Sequence, residues 1–454
     1  MRTFALPVAM SALLAVLCAA AGAEAPQSQP TSSPAAMSQP SSAPALPQIP
    51  DRSFDVKAYG AAGDGSKDDT PAIQAAIKAA TDAGGGSVVL PAGTFLSGPI
   101  AMANDIDLHL SEGAVLKMLP FDSYPEPNNN KGKYESLINA HGLHDIVLSG
   151  SGTIDGQGQL WWDKYRGGSL QVRPGMITMF RVTRLAIRGV RIQNAPNVHI
   201  DIGKAVDATI DGITIDTPDN TPNTDGIDIW GTHIVIKNCS IADGDDNIAL
   251  GRETTNVSVT DCKFGHGHGL SIGSITRGGL SNLVVDRCQF DGTTSGLRGK
   301  SNRDRGGVVQ NLVYSNITMT DVQYPIYFQS IYDEGAKQPE QTTTQPVTAL
   351  TPVWKNVTFQ NITATAVGKS GAGVIWGLPE APIENFTFKN VNITAYKGFK
   401  IYFAKNIVFA DDSHINITGT SKPLLLYQAQ VQAPAQMGRK QQDANQAATQ
   451  AAGQ

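Results

Sequence analysis

Between residues 238 and 290 one short phrase occurs three times, as Asn238-Cys-Ser-Ile241, Asp261-Cys-Lys-Phe264 and Arg287-Cys-Gln-Phe290. In each, a polar residue is followed by a small apolar one, a second polar one and a larger apolar one. Outward from there the phrase continues as Gly189-Val-Arg-Ile192 and Gly212-Ile-Thr-Ile215 on one side. On the other side stand Asn316-Ile-Thr-Met319, Asn361-Ile-Thr-Ala364 and Asn390-Val-Asn-Ile393. The second positions of the first six phrases, 190, 213, 239, 262, 288 and 317, are separated by 23, 26, 23, 26 and 29 residues. Apolar residues at alternate positions belong to strands. A repeat of this length, made of short strands with turns between, belongs to a β-solenoid, whose coils bury their apolar faces only by stacking on one another. A leucine-rich repeat has a similar period but needs a leucine pattern that this chain lacks, and a propeller blade needs a longer period. The expected fold is all-β, a right-handed parallel β-helix with a short N-terminal capping helix.

The register assigns the cysteines. Cys239, Cys262 and Cys288 fall in the column that holds Val190, Ile213, Ile317, Ile362 and Val391 in other coils. They are expected to be buried free thiols acting as small hydrophobes, not disulfide partners or metal ligands. The sequons at Asn238, Asn256, Asn316, Asn356, Asn361, Asn385, Asn392 and Asn416 are expected to be structural, because Asn and Thr suit turns and pleated surfaces.

The ends of the chain read differently. Arg2 followed by the apolar run Ala9 to Ala21 and by Ala21-Gly22-Ala23 marks residues 1–23 as a secretory signal peptide. Residues 24–50, rich in Pro and Ser, are expected to form a disordered linker, 51–431 the solenoid, and 432–454 a disordered Gln- and Ala-rich tail. Asp69 and Thr70 precede Pro71 and the periodic run Ala72, Ile73, Ala76, Ile77, Ala80, which predicts a capped amphipathic helix ended by Gly84-Gly85-Gly86. With 35 Lys and Arg against 40 Asp and Glu, the net charge of −5 argues against a nucleic-acid or anionic-membrane partner. An exported monomer, free of the membrane once its signal is removed, is expected.

The strand after each repeated phrase carries the chemistry. Its segments are Asn223-Thr-Asp225-Gly-Ile227, Gly244-Asp245-Asp246-Asn-Ile248, Gly267-His268-Gly-Leu270, Ser295-Gly-Leu297-Arg298-Gly-Lys300 and Tyr324-Pro-Ile326. Aligned on Ile227, Ile248, Leu270, Leu297 and Ile326, they place Asp225, Asp246, His268, Ser295 and Tyr324 in one column. Arg298 and Lys300 then share one side of their strand. Coils pairing as parallel strands lie about 4.8 Å apart. Asp225, Asp245 and Asp246 would therefore sit close together, and like charges that close retain at least one proton. A glycosidase needs such a divided set: one carboxylic acid to protonate the leaving oxygen and one carboxylate to activate water or attack. An Arg fork and a Lys point charge beside it suit a sugar that carries a carboxylate.

These motifs, in this order, resemble the polygalacturonases of glycoside hydrolase family 28. The resemblance spans about residues 52–430 and includes Phe54-Asp-Val-Lys-Ala-Tyr-Gly60 and Gly152-Thr-Ile-Asp-Gly-Gln-Gly158. It implies hydrolysis of the α-1,4 linkages of homogalacturonan with inversion, a pectic polysaccharide as partner, and no cofactor or metal. It also implies Asp245 as general acid, Asp225 and Asp246 as the residues that hold and activate water, and His268 as the group that tunes the acid. Arg298, Lys300, Tyr324 and Asn223 are implied in substrate binding. The chain departs from the family where Gly299 replaces Ile in Arg-Ile-Lys, and a looser strand is expected there. His266 is the fallback for His268. Rival readings are a hydrolase of rhamnogalacturonan or xylogalacturonan, a calcium-dependent pectate lyase, and a non-catalytic carbohydrate-binding solenoid. The segment from Ile331 to Pro352 is expected to border the cleft.

Overall fold

The computed structural model describes residues 43–127 and 132–438. The expected signal peptide, most of the expected linker and the tail beyond 438 lie outside the described residues. Residues 43–50, read from sequence as the end of the linker, run without regular structure onto the domain, where the Gln48 N–H donates to Asp145 Oδ1 at 2.9 Å.

Every strand pairing is parallel, and the strands fall into three faces that wind coil upon coil. One face begins with Ser53–Asp55, Gly86–Leu90 and Ile106–Leu110. A second begins with Asp64–Asp68, Gly93–Ser97 and Ala114–Met118 and goes on to hold the repeated phrase. The third begins with Ile100–Ala101, Ile138–His141 and Ile177–Phe180 and goes on to hold the candidate site. The chain is a parallel β-helix.

The first residue of each repeated phrase sits at a sharp turn with left-handed backbone. Its φ is 56° at Asn238 and Asp261, 52° at Arg287, 54° at Asn316, 53° at Asn361 and 50° at Asn390, with Gly189 and Gly212 also positive. Gly, Asn and Asp tolerate that conformation best, so the turn selects the residue types that made the repeat visible. The second residue points inward: Val190, Ile213, Cys239, Cys262, Cys288, Ile317, Ile362 and Val391 are all buried, and the three thiols are free. The fourth residue is buried too, and Phe264 lies over Phe290 with ring centroids 4.6 Å apart.

Asn side chains also form an external ladder. Asn282 donates to Asn256, Asn311 to Asn282, Asn356 to Asn311, Asn385 to Asn356 and Asn406 to Asn385. Three of the sequon asparagines, Asn256, Asn356 and Asn385, therefore hold neighbouring coils together.

Helix α1, Thr70–Asp82, buries Ala72, Ile73, Ala76, Ile77 and Ala80. Its expected cap is not made by Asp69. That carboxylate is buried and accepts instead from the N–H groups of Ala62 and Gly63 at 2.7 and 3.0 Å. Asp68 takes the capping role by accepting from the Thr70 N–H at 2.9 Å. The tertiary contact outcompetes the local one because it satisfies two backbone donors of the preceding loop.

Candidate active site

The third face stacks Ile227 on Ile248, Leu270, Leu297 and Ile326, the alignment read from sequence. The acids and His268 lie in the turns that lead into these strands, and Arg298, Lys300 and Tyr324 in the strands themselves. Asp245 and Asp246 stand between Ser240–Ala242 and Ile248–Leu250. His268 stands between Lys263–Phe264 and Leu270–Ile272. The glycines around His268 are required by space and backbone. Gly267 and Gly269 have φ of 127° and 75°, and a Cβ on Gly269 would lie 2.0 Å from the Ser295 carbonyl oxygen. Buried Asn247 ties the turns together, donating to the His266 carbonyl at 3.0 Å and accepting from the Gly269 N–H at 2.8 Å.

Three donors converge on Asp246, which is only 2% exposed. Lys300 Nζ is 2.6 Å from Oδ2, while Arg298 Nη1 at 3.0 Å and Ser271 Oγ at 2.8 Å reach Oδ1. Next to it, Asp245 Oδ1 lies 2.9 Å from His268 Nδ1. Burial pushes the Asp245 carboxyl up, but the hydrogen bond and charge of His268, with help from Lys300, bring it below its ordinary value. Asp225 moves the other way: burial, then the charges of Asp245 and Asp246, push it well above the usual carboxylate range. Of the two, Asp225 is therefore the carboxyl that holds a proton more readily and Asp245 the one that ionises more readily.

The structure brings Asp225, Asp245, Asp246, His268, Arg298 and Lys300 into one electrostatically coupled group. His266 turns away, its Nδ1 lying 2.7 Å from the carbonyl oxygen of Asp243. Tyr324 is half-buried at the C-terminal side of the group, its ring 5.2 Å from that of Tyr327. Asn223 is exposed and accepts from Arg173 Nη2 at 2.8 Å. The strand at Gly299 is not loosened. Ser295–Lys300 pairs with Tyr324–Gln329. A Cβ on Gly299 would lie 2.5 Å from Phe328 and 2.8 Å from Trp354, so these rings fill the space a larger residue would take.

Several residues of the group were not visible in the sequence. Tyr332, in the segment after Ile331, lies under both cations, with ring centroid distances of 5.6 Å to Arg298 and 5.3 Å to Lys300. Asp228, one position beyond the Ile227 column, has a buried oxygen without a hydrogen-bond partner, and burial followed by the charge of Asp225 raises it well above the ordinary value. The only signal for it was its spacing of three from Asp225. His199 supports Asp225 from below: its N–H and Nδ1 meet the Asp225 carbonyl oxygen at 2.9 and 3.0 Å.

Asp245, Asp246 and His268 also place ligand atoms within 4.8 Å of one another. A divalent ion there would have to displace Lys300 and Arg298 from Asp246, which disfavours a calcium site.

A parallel β-helix with clustered carboxylates and cations on one face defines a class of carbohydrate-cleaving proteins, and sequence comparison narrows it. The chain belongs to the glycosyl hydrolases family 28, whose sequence model matches residues 84–411. A shorter match, to the rhamnogalacturonase A/epimerase, pectate lyase-like family, covers residues 53–109. The chain is 33% identical over 368 residues to an endo-polygalacturonase of Pectobacterium carotovorum subsp. carotovorum, covering 74% of this chain and 87% of the relative. It is also 33% identical over 290 residues to a probable polygalacturonase of Arabidopsis thaliana, covering 62% of each. The solved polygalacturonase of Erwinia carotovora ssp. carotovora superposes with a TM-score of 0.65 at 28% identity, over 87% of this chain and all of that one. This chain is therefore a glycoside hydrolase that groups with the polygalacturonases of its family. Among the described residues no helix is long and apolar enough to cross a membrane.

Proposed function

We propose that the protein hydrolyses the α-1,4-galacturonosyl linkages of homogalacturonan with inversion, acting as an exported monomer. The observation that carries this reading is the group itself: three clustered carboxylates, of which Asp225 is raised and Asp245 lowered, flanked by an Arg and a Lys, on one face of the solenoid. Split carboxyl environments are what acid and base roles require, and the cations suit an anionic sugar.

Asp245 is the general acid. It is paired with His268 at 2.9 Å. A sugar covering the pair excludes water, and in a drier site an ion pair loses ground to its neutral form. The proton between His268 and Asp245 then moves onto the carboxyl, ready for the glycosidic oxygen. Neutralising Asp245 removes one of the two like charges that raise Asp225. As the sugar binds, Asp225 in consequence releases its proton to bulk solvent, and with Asp246 it then holds the attacking water and takes a proton from it. Substrate binding thus swaps the roles the two acids have in the free protein. Arg298, Lys300 and Tyr324, with Tyr332 beneath the cations, receive the galacturonate next to the cleaved bond.

The test is digestion of unesterified polygalacturonate with and without a calcium chelator, following reducing ends and ultraviolet absorbance together. Chelator-resistant reducing ends without unsaturated product are expected, and NMR of the first product should show the β-anomer. Chelator-sensitive unsaturated product would establish a lyase and overturn the reading.

A further inference from the structure

The strand Tyr324–Gln329 is followed by an excursion that rejoins the solenoid at Val353 and carries Tyr332. The only regular element described within it is the short 3₁₀ turn Pro339–Gln341. A segment of that length holds one conformation only if it is anchored. Its anchors near Tyr332 come from the turn that follows Lys300. The Tyr332 N–H donates to the Ser301 carbonyl at 3.1 Å. The next N–H, of Asp333, donates to Oδ1 of buried Asn302 at 3.0 Å. Arg305 pairs with the Asp333 carboxylate, and its Nη1 donates to Ser274 Oγ at 3.1 Å.

Arg303 is the centre of this anchorage. Its Nε and Nη2 fork onto Glu380, at 2.6 Å from Oε1 and 3.3 Å from Oε2. The Arg303 side chain is 13% exposed and that of Glu380 4%, so the pair is held mostly out of water. Glu380 lies in the loop after Gly371–Trp376. Nη1 of Arg303 pairs with Glu334, and Nη2 also donates to the Thr343 carbonyl at 3.0 Å. One guanidinium thus joins the turn after Lys300 to two points of the excursion and to a later loop. Buried ion pairs add little stability over apolar substitutes, so stability alone does not account for three acceptors on one side chain. On the other flank, Ile331 is buried in a small apolar cluster with Val374, Trp376, Leu378 and Phe403. Tyr332 is therefore fixed by packing at 331 and by charge at 333 and 334, with its ring against Arg298 and Lys300.

We propose that Arg303 is a positioning residue for galacturonate binding. Through Glu334 it holds the Tyr332 turn against the two cations, and through Glu380 it ties that turn to a later coil. The proposal deepens the polygalacturonase reading above and rests on it. Arg303 acts through Tyr332. Without the clasp the ring is free to leave Arg298 and Lys300, and the cations lose the orientation in which they meet a sugar carboxylate.

The test is a double-mutant cycle of Arg303→Met and Tyr332→Ala, read by steady-state cleavage of hexagalacturonate. Arg303→Met should raise KM by about tenfold, the equivalent of about 1.4 kcal/mol, with kcat little changed, as lost binding requires. Arg303→Lys should restore part of the affinity, since an ammonium keeps the charge but not the fork. In the Tyr332→Ala background Arg303→Met should change KM no further, because its effect passes through that ring. A merely structural role would lower Tm alike in both backgrounds and leave KM where it was. An unchanged KM in Arg303→Met, or the same rise in KM with and without the Tyr332 ring, overturns the proposal. Where Arg303→Met does not fold, Glu334→Gln at the more exposed end of the clasp replaces it, with the same outcomes deciding. If the wild type cleaves no hexagalacturonate, the hydrolase reading has failed, and limited proteolysis judges the clasp separately. Faster cutting between residues 331 and 352 in Arg303→Met than in the wild type then supports it, and equal rates overturn it.

Discussion

Lys300 offers the sharpest check on how the cation cluster works. By resemblance alone Lys300→Ala would cost substrate affinity and little stability. The structure predicts otherwise, because Lys300 is 7% exposed and its Nζ sits 2.6 Å from Asp246, which is 2% exposed. Removing one member of a buried pair typically costs about 3–5 kcal/mol, since the other charge is left uncompensated. Here Arg298 at 3.0 Å and Ser271 at 2.8 Å still donate to Asp246, which places Lys300→Met at the lower edge. We expect a loss of about 2–3 kcal/mol, or about 4–6 °C in Tm at roughly 2 °C per kcal/mol for a large domain. The assay is a double-mutant cycle of Lys300→Met and Asp246→Asn by urea and thermal unfolding, with the four proteins compared under one protocol. The two substitutions should be less than additive by about 2 kcal/mol, in the range of strong contacts. If Lys300→Met melts with the wild type, or if the two effects simply add, the buried pair contributes nothing and the account of Asp246 is refuted.

Other consequences follow from the same charges. Asp225 is raised in the folded state, so its stabilising contribution is complete below the unfolded carboxyl value of about 3.9 and is lost as pH rises through the folded value. Asp225→Asn should match the wild type in Tm below about pH 4 and exceed it at neutral pH, while losing activity; equal melting at both pH values would contradict the shift. Asp245→Asn should lower kcat by about 10²–10⁴-fold, the usual contribution of an acid or base, with polymer binding retained in calorimetry. Near-normal turnover would remove Asp245 from the acid role. Burial lowers His199 to about 4. Its contribution is therefore present above its unfolded value of about 6.5 and is lost as pH falls through 4. Melting followed between pH 7 and 3.5 should show that loss, and His199→Gln should flatten it; an unaltered pH profile would argue against it.

The legible part of this protein was whatever repeats. The turn before each buried column demands left-handed backbone, so Asn238, Asp261 and Asn316 announce it locally. The strand that follows inherits its register from that turn, and five apolar residues sufficed to align Asp225, Asp246 and His268. What escaped depends on contacts the repeat does not encode. Asp69 reads as a helix cap, yet two loop N–H groups claim it. Gly299 reads as a weak point, yet Phe328 and Trp354 come from later coils to fill the gap. Tyr332 and Arg173 belong to segments outside the repeat, so no register placed them beside Lys300 or Asn223.

The arrangement also explains why neighbouring residues 245 and 246 would not share one role. Both side chains leave the same turn, but Asp246 is 2% exposed and meets two cations and a hydroxyl, whereas Asp245 meets a histidine. Lys and Arg give up a proton only far above neutral pH, so Asp246 is bonded to groups that do not hand a proton on. An imidazole can both take and give a proton, so Asp245 is the one whose partner can hand one on. On the mechanism proposed above, that partner is why the acid role is given to Asp245 and the water-activating role to Asp246, which fixed cations hold. His268 carries no reacting atom in the proposed mechanism; its place there is to mark Asp245, and not Asp246, as the carboxyl that gives a proton to the leaving sugar.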